Sequence, residues 1–223
     1  MLFRRSFLAL IAAAILAAGA SHGALAAQGD FKTRANDFIS VKGNEAIQTF
    51  AVKNRAERYE RFRVLLNDSF AVDAIAKFVI GRYWNQASEP QKTRYLKQFQ
   101  SYLLANYAAR AWNVEGVNLN VRQIDLTDDG DAMVDTLIHI PHKEKQNVTL
   151  GFRVRDYPAG SRIVDLQVDG ISLIVTHRAD FSAKIGQLGG SIDKFCDFLA
   201  ERTKGLEDEA DLAAQFEASQ KAK

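Results

Sequence analysis

Apolar residues return every three or four positions through the first half of the chain and every second position beyond Gly116, so the pattern predicts helices followed by strands. Phe31, Ala35, Phe38 and Ile39 mark a first helical stretch, which continues through Ala46, Ile47, Phe50 and Ala51 after a break expected near Gly43. Phe62, Leu65 and Leu66 close a basic amphipathic stretch. Val72, Ile75, Ala76, Val79 and Tyr83 mark a third helix, its apolar face widened by Phe78 and Ile80. Ser88-Glu89-Pro90-Gln91 is a capping-box pattern, in which the serine caps backbone N–H groups and the glutamine reaches back. It predicts a long helix carrying Tyr95, Phe99, Tyr102, Leu103 and Tyr107 on one stripe.

The period then shortens to two. Val117, Leu119 and Val121 alternate with polar residues, and Asp128-Asp129-Gly130 is a turn signal before Val134, Thr136, Ile138 and Ile140. Val148, Leu150, Phe152 and Val154 form a third alternating run, Pro158-Ala159-Gly160 a second turn, and Val164, Leu166 and Val168 a fourth run. Four strands with short turns predict an antiparallel meander, apolar on one face. After Asp169-Gly170, Ile171, Leu173 and Val175 alternate as in a strand while Ile171, Ile174, Arg178, Phe181 and Ile185 fit a helix, the preferred reading, and Gly189-Gly190 separates it from a last one with Ile192, Phe195 and Leu199. Residues 205–223, rich in Glu, Asp, Ala and Lys, read as a frayed helix or disordered tail. The predicted class is α+β, with helices on one face of a curved four-stranded antiparallel sheet.

The N-terminus sets the compartment. Arg4 and Arg5 precede an apolar run from Phe7 to Gly19, and Ala24-Leu25-Ala26 supplies a cleavage site, so residues 1–26 read as a signal peptide and 27–204 as the folded domain. The apolar run is shorter than the roughly 20 residues a spanning helix needs. Arg4-Arg5-Ser6-Phe7-Leu8 also resembles the core of a twin-arginine signal. Removing Arg4 and Arg5 from the 29 Lys and Arg leaves 27 against 27 Asp and Glu. A neutral domain lacks the excess cation that a nucleic-acid binder uses to displace counterions, so no nucleic-acid partner is expected. Cys196 is the single cysteine and cannot make an internal disulfide; its neighbours Phe195, Phe198 and Leu199 predict a buried thiol.

Signatures of catalysis are missing from the pattern. There is no G-x-S-x-G elbow, Walker loop or dinucleotide fingerprint. His139 and His142, three apart in a strand, would point to opposite faces, with no cysteine or carboxylate cluster to complete a metal site. Asp125, Asp128, Asp129 and Asp131 lack the terminal glutamate of a calcium loop and read as a solvated turn. No enzyme activity, cofactor or metal is expected. Asp135 and His139 are the candidates for a rival reading as a hydrolase or isomerase on a cone-shaped fold, but both alternate onto the face opposite Val134 and Ile138.

Two blocks carry a family resemblance. The first is Phe78-Val79-Ile80-Gly81-Arg82-Tyr83-Trp84 with Ala87-Ser88-Glu89-Pro90-Gln91 and the aromatic stripe that follows. The second is Val164-Asp165-Leu166-Gln167-Val168-Asp169-Gly170-Ile171-Ser172-Leu173, then Thr176, Arg178, Phe181 and Gly189-Gly190. In this order they resemble the MlaC, or toluene-tolerance, family of periplasmic phospholipid-binding proteins, over roughly residues 31–204. Asp169, where the family favours glutamate, and Phe152, where it favours tryptophan, are departures that keep chemical character.

The resemblance implies a periplasmic, monomeric lipid carrier with an apolar cavity. Its walls would be Val134, Ile138, Val148, Leu150, Phe152 and Val154 on the sheet and Val79, Tyr83, Phe99, Leu103 and Tyr107 on the helices. Arg82 and Arg110 would approach a headgroup phosphate at the mouth. An inner-membrane ABC transporter complex and an outer-membrane lipoprotein–porin complex would be the partners. The same stripes would serve a solid core in a structural adaptor, and a hopanoid or other polycyclic molecule is an alternative cargo.

Overall fold

A computed structural model describes residues 29–109, 114–139 and 148–221. Among the described residues seven helices and five strands follow in order: α1 (29–51), α2 (Arg55–Ser69), α3 (Val72–Ile80), α4 (Arg82–Gln86), α5 (Glu89–Ala108), β1 (Asn118–Leu126), β2 (Ala132–His139), β3 (Val148–Tyr157), β4 (Gly160–Val168), β5 (Ile171–Ser172), α6 (Leu173–Gln187) and α7 (Ile192–Lys221). The class is α+β, as the period change predicts.

The strands pair in sequence order as one antiparallel sheet of five, not four. The fifth is the two-residue β5, folded back on β4 by Asp169-Gly170, whose φ values of 48° and 81° suit the tight primed turns that join strands. So short a strand is hidden in a sequence that runs straight on into helix α6. Single-residue register shifts interrupt the β1–β2 and β3–β4 ladders, at Val121/Gln123 and Arg153/Val154. Such bulges bend a strand and increase its twist.

Two expectations fail for physical reasons. Helix α1 runs through Gly43 without a break, because the helix approaches β1 so closely there that a Cβ would lie 2.8 Å from Leu119 Cδ1. The third helix, expected to reach Tyr83, instead ends at Ile80: Gly81 takes φ 54°, where a side chain is strained, and the Arg178 guanidinium donates to the Phe78 carbonyl at 3.1 Å. Of the two readings of residues 205–223, the described residues follow the helix: α7 continues to Lys221 and buries Leu206 and Ala210. The capping box at Ser88 and Gln91 forms as predicted.

Burial divides into two cores. A helical core joins α2 to α7 through Phe62, Leu66, Val79, Ile80, Tyr95, Phe99, Phe181, Phe195 and Leu199. The second core is Phe31, Ala35 and Ile39 of α1 against Ala132, Val134, Phe152, Val154 and Ile163 of the sheet. α5 packs on α7, and the helical core meets the sheet along β4, where α2, α3 and α6 make contact and Ala71 N–H donates to the Ile163 carbonyl at 3.0 Å.

Polar pins hold the periphery. The Asp131 carboxylate, 2% exposed, accepts from Arg153 Nε at 2.6 Å and from Arg155 Nε and Nη2 at 2.7 and 2.8 Å, fixing the β1–β2 turn to β3. The buried Arg58 guanidinium donates to the carbonyls of Ala108 and Ala109 at the end of α5, at 2.9 and 3.1 Å. It also donates to those of Val52 and Lys53 just after α1, at 2.7 and 3.2 Å. Burial, and then the nearby Arg55, lower its pKa. Arg58→Met keeps the apolar stem but strands buried carbonyls, and urea unfolding is expected to show a loss of about 2–4 kcal/mol.

Candidate functional site

The expected helical wall lies together. Val79 and Phe99 are fully buried, Tyr83 and Leu103 nearly so, and Tyr107 packs against the same helical core. The expected sheet wall is also one surface: Val134 pairs with Phe152, Ala132 with Val154 and Thr136 with Leu150 across the β2–β3 ladder. Val134, Phe152 and Val154 are buried and Leu150 packs against them. Ile138 and Val148 pair with each other and are half-buried at the sheet end beside residues 140–147, outside the described residues.

The two walls belong to different cores, and the residues that cover the sheet wall are Phe31, Ala35 and Ile39 of α1. The spacing of these three announces a helix face, but no signal in the sequence says which surface that face meets. Two open clefts lie elsewhere, one between α1 and α2 lined by Glu45, Gln48, Arg61 and Leu65, the other lined by Phe70, Val72 and Tyr157. Neither includes a residue of the expected walls.

Of the headgroup candidates, Arg82 is exposed, with its guanidinium 5.0 Å from the Tyr83 ring centroid and Nη2 donating to Tyr83 Oη at 3.1 Å. Arg110 lies outside the described residues. An aromatic cluster that sequence reading passes over stands at the C-terminal end of α5: His177 Nε2 is 3.3 Å from Tyr107 Oη, and the His177 ring lies 6.0 and 5.6 Å from those of Tyr102 and Phe181.

Reactive groups are subdued. Burial pushes the Cys196 thiol up to about 11, so it is protonated and inert at neutral pH. Among the described residues no three His, Cys, Asp or Glu side chains gather to hold a metal ion. Asp135 pairs with Gly151 and His139 with Asn118, each alternating to the face away from Val134.

Broad apolar surfaces, interrupted on the sheet by Thr136 with its hydroxyl bonded to the Leu150 carbonyl, suit the holding of hydrocarbon, which is the work of a lipid-binding protein. Residues 42–201 match the family model described as MlaC protein, and the chain belongs to the MlaC family. It is accordingly a periplasmic lipid carrier and not an enzyme. Among solved structures it is similar to the phospholipid-binding protein from Ralstonia solanacearum in complex with a phospholipid. The identity is 21% and the TM-score 0.65, over 76% of this chain and 97% of that one. That likeness shows a shared fold. No curated protein matches the sequence.

Burial lowers the His177 pKa below the ordinary imidazole value of 6.5, with Asp180 opposing the shift in part. The unfolded chain therefore takes up a proton at a pH where the folded chain does not. Stability is unaffected by this group above about pH 7.5 and falls as pH drops through 6.5, by at most ~1.4 kcal/mol per unit. Urea unfolding at pH 8 and pH 5.5 is expected to show that the loss on acidification is smaller in His177→Gln.

Proposed function

We propose that this chain carries phospholipid across the periplasm, its acyl chains held against the inner face of the sheet and its headgroup left near solvent. The observation that carries the reading is the MlaC match over residues 42–201, and the phospholipid seen in the Ralstonia relative supports it. Val134, Leu150, Phe152 and Val154 supply the acyl wall, with Ile138 and Val148 extending it, while Val79, Tyr83, Phe99, Leu103 and Tyr107 bound it from the helical side. Arg82 serves the phosphate by exchanging its hydrogen bond with Tyr83, and Arg110 joins it.

Exchange with membranes follows from the energetics. At ~0.8 kcal/mol per methylene, two chains of about sixteen carbons gain on the order of 25 kcal/mol on leaving water, and a bilayer offers nearly as much. Transfer is close to balanced on that term, so direction comes from partners: an inner-membrane ABC transporter complex and an outer-membrane lipoprotein–porin complex. The carrier works as a monomer, released after residue 26 by removal of the signal peptide.

Organic extraction of gently purified protein followed by mass spectrometry is expected to yield phospholipid near one molecule per chain. Hopanoid in its place would change the cargo, and nothing bound would return the molecule to a solid-core adaptor. Leu150→Trp tests the wall itself. The ring should displace acyl chain, so bound phospholipid falls by at least half while the lipid-free protein keeps its melting temperature within a few degrees. Unchanged lipid with a sharply lower melting temperature, the mark of overpacking at ~1–3 kcal/mol, would place Leu150 in ordinary core.

A further inference from the structure

The sheet face proposed for acyl chains is occupied by the protein itself. Phe31, Ala35 and Ile39 lie on Val134, Phe152, Val154 and Ile163, and two bodies cannot share one apolar surface. The covering helix changes character at Gly43. On its C-terminal side Ala46 and Phe50 pack against the helical core, the Phe50 and Phe62 rings are 5.4 Å apart, Thr49 is buried, and Arg58 holds the two carbonyls after the helix. On its N-terminal side, full burial is confined to every fourth residue, at Phe31, Ala35 and Ile39, while Thr33, Arg34, Asp37 and Val41 are exposed. Phe38, partly buried against the same core, completes one apolar stripe, and no polar side chain of these residues is buried with it. Its ionic tether is solvent-exposed, Arg34 with Asp156 at the β3–β4 turn and with Asp30 on the helix itself, and exposed pairs hold weakly.

From these observations we infer that residues 29–42 are a displaceable cover over the acyl-chain face, hinged at Gly43. The inference rests on the carrier reading and adds what must move for lipid to be held. A glycine inside a helix is the position at which the backbone is least committed to helical conformation. The MlaC match begins at residue 42, beside this hinge, so the cover lies almost wholly outside the matched part. Lipid would replace one apolar stripe with another, exchanging the contacts of Phe31, Ala35 and Ile39 for those of methylenes. The cover would shield the face from water between a release and the next uptake.

Hydrogen exchange on the wild-type protein decides the matter. Protein stripped of lipid in detergent, then returned to buffer, is compared with the same protein reloaded from vesicles of phosphatidylethanolamine and phosphatidylglycerol, the load being verified by mass spectrometry. Amides of residues 31–42 are expected to exchange at least tenfold faster in the loaded form, with those of residues 46–51 and the first turns of α7 unchanged. Equal protection of 31–42 in both forms, with phospholipid demonstrably bound, overturns the cover and leaves the carrier standing. Failure to take up any phospholipid overturns the carrier reading and the cover with it. Arg34→Glu, which sets like charges against Asp30 and Asp156 at an exposed position, should speed uptake of a fluorescent phosphatidylethanolamine several-fold at unchanged final stoichiometry; an unchanged or slower rate counts against the cover.

Discussion

An antiparallel sheet with one apolar face cannot leave that face in water, and much of this molecule follows from how little chain is used to cover it. One apolar stripe on α1 suffices, since Gly43 and Ala35 let the helix lie close while Phe31, Phe38 and Ile39 supply bulk. The remaining helices are then free to make a core of their own, which touches the sheet along β4 and not across its face. Charged groups stay at the margins of both: Asp131 with its two arginines at one end of the sheet, and Arg58 where α1 and α5 finish. The apolar surfaces between them lack free polar anchors, since buried Thr136 donates to the Leu150 carbonyl and buried Asp165 accepts from the Ile174 N–H.

Local order was legible in the sequence wherever neighbours decide it. Ser88 and Gln91 form the capping box, and the alternation through Val134 and Phe152 separates the buried face from the solvated one. The glycines show where such reading stops. Gly43, Gly81 and Gly205 look alike in sequence, yet one permits close packing of an unbroken helix, one splits a helix, and one passes unnoticed inside α7. What separates the first two is long-range, Leu119 beside one and Arg178 against the other, while nothing lies within 4 Å of a Cβ on the third. The candidate walls were legible as faces but not as partners, because a period of two or 3.6 says which side of an element is apolar and never what it meets. Phe99 and Val134 therefore read as opposed although they lie in different cores.

The same lack of anchors bears on cargo. An apolar wall distinguishes guests by volume and shape, at roughly 1–3 kcal/mol for each methylene that fits or fails to fit. Sharp selection needs polar groups that would be left unsatisfied by the wrong guest. The polar groups near the helical wall already have partners, Arg82 with Tyr83 and His177 with Tyr107. Discrimination between lipid classes thus falls to the shape of a surface assembled from distant segments, which is why residues alone do not spell out a headgroup.

The arrangement of α1 also orders events in time. The stripe at Phe31 and Ile39 leaves the ribosome roughly a hundred residues ahead of Val134 and Phe152, and closing so long a loop is slow compared with joining neighbouring helices. Helix α2 can pack on α5 while the strands are still arriving, but α3 and α5 complete their packing only with α6 and α7. The hairpins from Asn118 to Ser172 can zip in sequence order, since each strand pairs with the next. The docking of the first helix onto the finished sheet is then a late step of folding, so the part of the chain made earliest is the part that settles last.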